Sequence, residues 1–129
     1  MNRLARIAAT CMLACSCSAH AFDVIANDSV TLSLEEIRDT FLGEKLLIGS
    51  LKLVPVDNGS SQEEFLATVL QTDSKKYYAR WSRKVYREGL VTPPIKGTDA
   101  EVAAFVKATP GAIGYVHKRV AGVKILFSF

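Results

Sequence analysis

The segment Thr98–Val116, TDAEVAAFVKATPGAIGYV, places a helix directly before a strand and so decides the class of fold. Thr98 and Glu101 have the spacing of a capping box, in which each side chain satisfies a backbone N–H group at the start of a helix. Apolar residues then recur at helical spacing. Pro110-Gly111 is a turn signal, and the apolar run Ala112–Val116 that follows it predicts a strand.

The segments on the N-terminal side continue this alternation. Phe22–Ala26 is short and rich in strand-forming residues. Ser33 and Glu36 form a second capping box, and a glycine shortly after the apolar stripe ends the predicted helix. A further strand is predicted over Leu51–Val56, where the proline at position 55 lacks a backbone donor and indicates a strand end or a sheet edge.

Two more helices are predicted between residues 61 and 88. Ser61 and Glu64 form a third capping box, and the next helix runs from Asp73-Ser74 to about Glu88. The stripes expected in the core are Phe65, Leu66, Val69 and Leu70 in the first helix and Tyr77, Tyr78, Trp81 and Val85 in the second.

The last segment alternates with a period of two, which is typical of a half-buried strand. Its apolar side is expected to consist of Val123, Ile125, Phe127 and Phe129. Taken together, these segments predict one α/β domain with a sheet of about four strands and helices on its faces.

The N-terminus predicts a secretory signal. Two arginines precede a short apolar run, and Ala19-His20-Ala21 fits a signal peptidase cleavage site. We therefore expect residues 1–21 to be a signal peptide and residues 22–129 to be one exported, periplasmic domain. The sequence before Cys15 resembles a lipobox more weakly, so a lipidated form is the less favoured alternative.

Length and composition agree with this organisation. The 129 residues, 49% of them hydrophobic, fit a single domain and exclude a disordered chain. All three cysteines lie within the predicted signal peptide. The exported domain is thus expected to have no disulfide, no cysteine metal site and no cysteine nucleophile.

Signals for catalysis are sparse. His117 follows a strand within a polar run, which favours an exposed turn residue over a catalytic base. The sequence has no nucleophile elbow and no glycine-rich phosphate or dinucleotide loop. The acids at Glu35, Glu36 and Asp39 and at Glu63-Glu64 lie where helices begin, which favours a dipole role over metal binding. We therefore expect no enzyme activity, no metal and no cofactor.

The turn before the third capping box is the candidate ligand site. Asn58, Ser60, Ser61 and Gln62 lie where a helix begins, and backbone N–H groups together with two hydroxyls attract oxyanions there. Simple capping of the helix by the two serines explains the same residues without a ligand.

Charge is distributed unevenly along the chain. Residues 22–73 contain ten acidic and three basic residues, whereas residues 74–129 contain eleven basic and three acidic residues. Arg80, Arg83 and Arg87 lie on one helical face, which could present cations to a ligand. Such asymmetry can attract a second copy or an anion, although ordinary solvated faces also explain it.

Nucleic acid is not expected as a partner, because the aromatic residues of this helix fall on its apolar stripe.

The order of these segments resembles the phosphate-type substrate-binding proteins of ABC importers. The motifs that carry the resemblance are Phe41-Leu42-Gly43 and Phe105–Val116, FVKATPGAIGYV, and it covers most of residues 22–117. Full-length members have two α/β lobes that hold the anion between them. The resemblance therefore implies a single three-layer lobe of the periplasmic-binding-protein type, with a mixed sheet of four to five strands.

The resemblance also implies where a ligand would bind. In that family an arginine and a Ser-Gly-Thr-Thr stretch hold phosphate, and alignment on Phe65 matches Ser61 to the serine. Asp57 then stands at the arginine, Gln62 at the glycine and Glu63-Glu64 at the threonines. A carboxylate at the arginine position is expected to repel an anion.

The function implied is an exported, solute-binding-like domain that holds phosphate or another small oxyanion weakly. A membrane transporter or sensor is the partner that this function would require. The alternative is a periplasmic interaction or accessory module that has lost solute binding and forms a homodimer or docks to a membrane complex.

Overall fold

The computed structural model describes residues 21–129, so the predicted signal peptide lies outside the described residues except for Ala21. The elements in chain order are β1 (Asp23–Ala26), α1 (Leu34–Phe41), β2 (Leu47–Ile48), β3 (Leu51–Lys52), β4 (Val54–Pro55), β5 (Asp57–Asn58), α2 (Gln62–Phe65) continued by a π-helical turn (Leu66–Leu70), α3 (Ser74–Glu88), β6 (Ile95–Lys96), α4 (Asp99–Ala108), β7 (Ala112–Val116) and β8 (Lys124–Ser128). Within residues 21–129, no helix is long and apolar enough to cross a membrane.

The main sheet has the strand order β4-β7-β1-β8. β4 runs parallel to β7, whereas β7 with β1 and β1 with β8 are antiparallel, so the sheet is mixed. Two smaller pairs flank it, the β2–β3 hairpin and the parallel pair β5–β6. A mixed sheet of four strands confirms the prediction from the sequence.

Helices cover both faces of this sheet and give three layers. On one face, α1, the α2–π segment and α3 enclose a core that includes Phe22, Val24, Phe41, Phe65, Tyr77, Trp81 and Tyr115. On the other face, α4 encloses a smaller cluster of Ile25, Val56, Val102, Ala103, Val106, Ala112 and Val116. The fold is therefore α/β with helices on both faces, as expected.

The strand of the segment Thr98–Val116 lies at the centre of the sheet, and its helix covers one face. β7 is the inner strand between β4 and β1, and all five of its residues are buried. The Thr98 hydroxyl accepts the N–H of Glu101 at 3.2 Å, whereas the Glu101 carboxylate accepts from Gly97 and not from Thr98. At the far end of α4, the Asn27 side-chain amide donates to the Val106 carbonyl at 3.0 Å.

Two glycines allow the close approach of the elements around β7. A Cβ at Gly114 would lie 2.7 Å from a methyl of Val102 and 2.9 Å from a methyl of Val56, so only glycine lets α4 pack this closely. Gly111 has φ +81°, and a Cβ there would collide with the backbone carbonyl of Lys52. The turn before β7 therefore needs glycine for its conformation and for its space.

The predicted strand Leu51–Val56 is divided in the structure. Leu53 donates its N–H to Leu46, within the β2–β3 hairpin region, whereas Val54 donates to Gly111 and begins β4 in the main sheet. The chain changes its pairing partner between these two residues, so β3 and β4 are separate strands. Pro55 lies in the edge strand β4, as its missing donor predicts.

The expected apolar side of the last strand is wrong in part. The register of β8 against β1 shifts between Val24 and Ile25, and this bulge disturbs the strict alternation of side chains. Leu126 and Phe129 pack against the larger core, whereas Ile125 is 37% exposed and Phe127 is 40% exposed.

The buried stripe of α3 is narrower than predicted. Tyr77 and Trp81 are fully buried, and the Trp81 indole N–H donates to the Phe41 carbonyl at 3.0 Å. Tyr78 and Val85 are exposed, because the helix contacts the core only along the line through the two buried aromatic side chains.

Replacement of Gly111 by alanine is expected to destabilise the protein by about 3 kcal/mol or more, because it adds a collision with the Lys52 carbonyl to the cost of a positive φ. Gly49→Ala is the matched control, since Gly49 has φ +58° and no atom within 4 Å of its Cβ position. The control is expected to cost about 1 kcal/mol. Urea denaturation measures both, and equal losses would contradict the packing argument.

Candidate functional site

The predicted ligand residues lie at the end of β5 and in the turn that follows it. Asn58, the last residue of β5, connects this turn to β7. Asn58 is buried and donates its side-chain amide to the Tyr115 carbonyl at 3.0 Å. Its side-chain oxygen accepts the N–H of Ser60 at 3.0 Å, and its backbone carbonyl accepts the N–H of Ser61 at 3.1 Å. Asn58 therefore shapes the turn into α2.

A carboxylate at the start of α4 fastens the loop after β7 to this turn. Asp99 accepts the Asn58 amide at 2.7 Å and the backbone N–H groups of His117 and Lys118 at 3.1 and 2.9 Å. Partial burial raises the pKa of Asp99, but the hydrogen bonds from Lys118, His117 and Asn58 outweigh it and lower the pKa overall. This carboxylate is charged at neutral pH and already accepts three hydrogen bonds from the protein.

The acid at the position of the family's arginine is buried between two tyrosines. Asp57 is 1% exposed, and its two carboxylate oxygens accept the hydroxyl protons of Tyr77 at 2.7 Å and Tyr115 at 2.9 Å. No ligand can touch this carboxylate directly while it is enclosed in this way. The expected repulsion of an anion is therefore softened, because both oxygens are engaged by protein donors.

Burial is the main influence on the ionisation of this group. Desolvation raises the pKa of Asp57, while hydrogen bonds from Tyr77, Tyr115 and Gln62 oppose the shift. Burial, followed by the charge of Asp57, raises the pKa of both tyrosines far above neutrality. The tyrosines therefore remain hydrogen-bond donors at every physiological pH.

Ser61 does not cap its helix, which corrects the sequence prediction. It occupies the N-cap position of α2, but its φ and ψ of −141° and 13° are not those of a capping residue, and its side chain makes no cap hydrogen bond. The residue is 6% exposed, and its hydroxyl has no hydrogen-bond partner among residues 21–129. A buried hydroxyl without a partner is costly, and a ligand oxygen could provide the missing contact.

The backbone at the same helix start also has free donors. Within the described part of the chain, the N–H groups of Gln62, Glu63 and Glu64 meet no acceptor. The two glutamate side chains are exposed and point their charge into solvent. Backbone N–H groups at a helix start carry partial positive charge, so they favour an anion.

The other two predicted ligand residues are occupied by protein contacts. The Ser60 hydroxyl donates to the Asn58 side-chain oxygen at 2.6 Å, so its proton is not free for a ligand. The Gln62 amide donates to the Tyr78 hydroxyl at 2.8 Å and ties the start of α2 to α3. Both residues support the turn in this state.

The arginines of α3 lie on a different surface from Ser61. Arg80 pairs with Glu44 at 2.9 Å, and a surface cavity of about 400 Å³ is lined by Glu44, Arg80, Arg83, Lys84, Arg87 and Glu88. A second cavity connects Arg80 and Arg83 to the region of Leu70 to Thr72, at the opposite end of the helical segment that Ser61 begins. The idea that these arginines border the anion site is therefore not supported by their contacts.

His117 directly follows β7 near the site, and its side chain is exposed. Its ring packs 5.9 Å from the ring of Phe22, and no hydrogen bond reaches the imidazole from residues 21–129. The same part of the chain contains no group of three metal-ligating side chains.

The network of Asp57, Tyr77, Tyr115 and Asp99 was not identified from the sequence. A usable signal was present, since Asp57 directly follows an apolar run and Tyr77 lies on an apolar helical stripe. A buried tyrosine hydroxyl needs a partner, and the acid is the natural acceptor.

Comparisons with known proteins identify the fold. No protein-family model matches the sequence, and no curated protein matches it either. The structure is similar to the crystal structure of an ABC-type phosphate transport receptor from Vibrio cholerae, with a TM-score of 0.54 and 15% sequence identity. The match covers 83% of this chain and 45% of the receptor, so the chain spans less than half of the receptor's length. The fold resembles one lobe of a periplasmic binding protein.

Ser61→Ala is expected to stabilise the protein by about 1 kcal/mol in buffer free of phosphate and sulfate, because it removes a buried hydroxyl without a partner. Ser33→Ala is a control for which the opposite change in unfolding free energy is expected, since the Ser33 hydroxyl accepts the N–H of Glu36 and caps α1. Its loss is expected to cost about 1 kcal/mol. Urea denaturation distinguishes the two, and destabilisation by Ser61→Ala would show that the hydroxyl has a partner.

Asp57→Asn is expected to become more stable relative to wild type as the pH rises from about 4 to 7. The folded pKa of Asp57 is raised, so its protonation stabilises the fold most below the unfolded pKa, and this contribution is lost as the pH rises through the folded pKa. The difference in unfolding free energy, measured by urea denaturation across this range, isolates the group. A wild type that gains on the variant as the pH rises would contradict the raised pKa.

Proposed function

We propose that this chain is a one-lobe solute-binding domain that holds a small oxyanion, such as phosphate, weakly at the start of α2. The observation that carries the proposal is the Ser61 hydroxyl, which is buried at that helix start without a partner among residues 21–129. An oxyanion accepts from such a hydroxyl and from the adjacent backbone N–H groups at the same time.

Several features support an anion over a cation or an apolar ligand. The free donors of Gln62, Glu63 and Glu64 are N–H groups, and the carboxylates of Asp57 and Asp99 already accept hydrogen bonds from the protein on both oxygens. The donors that remain free at this helix start are therefore N–H groups and the Ser61 hydroxyl, which suit an anion better than a cation.

Weak affinity follows from the form of the lobe. The similar receptor is more than twice as long as the matched region, and this chain corresponds to one of its lobes. A ligand held by one wall keeps more of its surface in water and gains less from desolvation. The exposed charges of Glu63 and Glu64 weaken the attraction further.

The proposal includes export and a membrane partner. The pattern of residues 1–21 supports secretion to the periplasm, where a transporter or sensor would supply the second wall of the site. Binding without turnover is proposed, since the described residues bring no base or nucleophile to Ser61.

Isothermal titration calorimetry of the protein with phosphate, and separately with sulfate, is expected to show binding in the high micromolar to millimolar range. Ser61→Ala is expected to lower the affinity by about tenfold, since a hydrogen bond to a charged group is lost. Ser82→Ala is the matched control, because Ser82 is exposed on α3 and its hydroxyl makes no hydrogen bond within the described residues.

The control is expected to bind like wild type. An absence of heat and of thermal stabilisation at millimolar phosphate and sulfate would contradict the proposal. Equal affinity of wild type and Ser61→Ala would show that the anion binds at another surface, and would contradict the proposed site.

A further inference from the structure

A regular stripe of cations runs along the exposed side of α3. Lys76, Arg80, Arg83 and Arg87 follow one another at intervals of four, three and four residues, which keeps them on one helical face. Arg80 is paired with Glu44. Arg83 and Arg87 have no ion pair and no side-chain hydrogen bond with any of residues 21–129. The stripe therefore offers two free guanidinium groups, one helical turn apart.

A matching pair of free acids lies on α1. Glu35 and Asp39 are also four residues apart, and neither makes a side-chain ion pair within the described residues. Glu36, between them, is on a different side of the helix and pairs with Lys45 at 3.1 Å. Both pairs span about 6 Å along their helix axes, so the spacing of the acids matches that of the free arginines.

The two helices lie in the same layer of the fold. α1 and α3 cover the same face of the sheet, and the Trp81 indole of α3 donates to the carbonyl of Phe41 at the end of α1. In a twofold dimer, the acids of each copy would meet the arginines of the other, and both contacts would form at once. Such reciprocity is available only when both patches face the same side of the molecule.

An exposed aromatic side chain adds apolar surface to this face. Tyr86 is 91% exposed and lies on α3 one turn after Arg83 and directly before Arg87. Tyrosine and arginine are both enriched in protein interfaces relative to other surfaces. Residues 22–129 carry fourteen basic and thirteen acidic residues, so two copies meet without strong overall repulsion.

We propose that the free arginine pair of α3 docks onto the free acidic pair of α1 in a second copy of this chain, forming a reciprocal dimer. The occupant is a second copy because the chain itself carries both complementary pairs at the same spacing. Exposed ion pairs are weak and are screened within about 10 Å at 0.1 M salt, so the dimer depends on low ionic strength.

Sedimentation equilibrium of the purified protein at 20 and 500 mM NaCl tests this proposal. Wild type is expected to form dimers at low salt and monomers at high salt. The charge-reversal variants Arg83→Glu/Arg87→Glu and Glu35→Lys/Asp39→Lys are each expected to be monomeric at low salt, because like charges then face each other. An equimolar mixture of the two variants is expected to restore dimers, since each pair again meets its opposite.

The matched control reverses the charge of two basic residues outside the proposed interface. Lys52 and Lys118 make no ion pair within the described residues, and Lys52→Glu/Lys118→Glu changes the net charge by the same amount as the arginine variant. This control is expected to dimerise like wild type. Monomeric wild type at low salt, loss of dimers in the control, failure of the mixture to reassociate, or open-ended polymers would each overturn the proposal.

A flotation assay with anionic phospholipid vesicles tests whether the arginine pair binds a membrane surface instead of a second copy of the chain. The proposal predicts that vesicles do not compete with self-association. Binding to vesicles through Arg83 and Arg87 by a protein that stays monomeric would assign the stripe to a membrane surface and overturn the dimer.

Discussion

One buried carboxylate, held by two tyrosine hydroxyls, joins the helical layer of this lobe to its sheet. Asp57 continues from the edge strand, Tyr77 comes from α3 and Tyr115 comes from the central strand β7. A buried carboxyl group without these donors would cost about 1–3 kcal/mol, a large part of the stability of a small domain. Both hydroxyls reach one carboxyl group, and together with the packing of Trp81 they hold α3 against the sheet.

The same contact determines which polar groups remain available at the start of α2. Because Asp57 is enclosed, its carboxyl group contributes to the packing of α3 and is closed to a ligand. The donors left near α2 are neutral ones, the Ser61 hydroxyl and backbone N–H groups. The arginines instead lie on the outer side of α3, where Arg80 pairs with Glu44. The lobe thus separates a small neutral donor site from a cationic surface.

The helices and strands could be predicted because neighbouring residues determine them. Contacts between residues distant in the sequence could not be predicted in this way. Capping at Ser33, the buried run Ala112–Val116 and the edge proline Pro55 are set by neighbouring residues, and the structure has each as predicted. The role of Ser61 was missed, because Asn58, and not the serine, organises the turn. The partners of Asp57 are 20 and 58 residues away, and only the folded chain brings them together.

The most direct test of this account is the coupling free energy between Asp57 and Tyr115. Unfolding free energies at pH 7 are measured for wild type, Asp57→Asn, Tyr115→Phe and the double variant, so that the two substitutions form a cycle. Tyr115→Phe is expected to cost about 1–3 kcal/mol in the wild-type background and markedly less in the Asp57→Asn background, where an amide replaces the carboxyl acceptor. Equal losses in the two backgrounds would show that the hydroxyl does not act through the carboxylate, and would contradict the account.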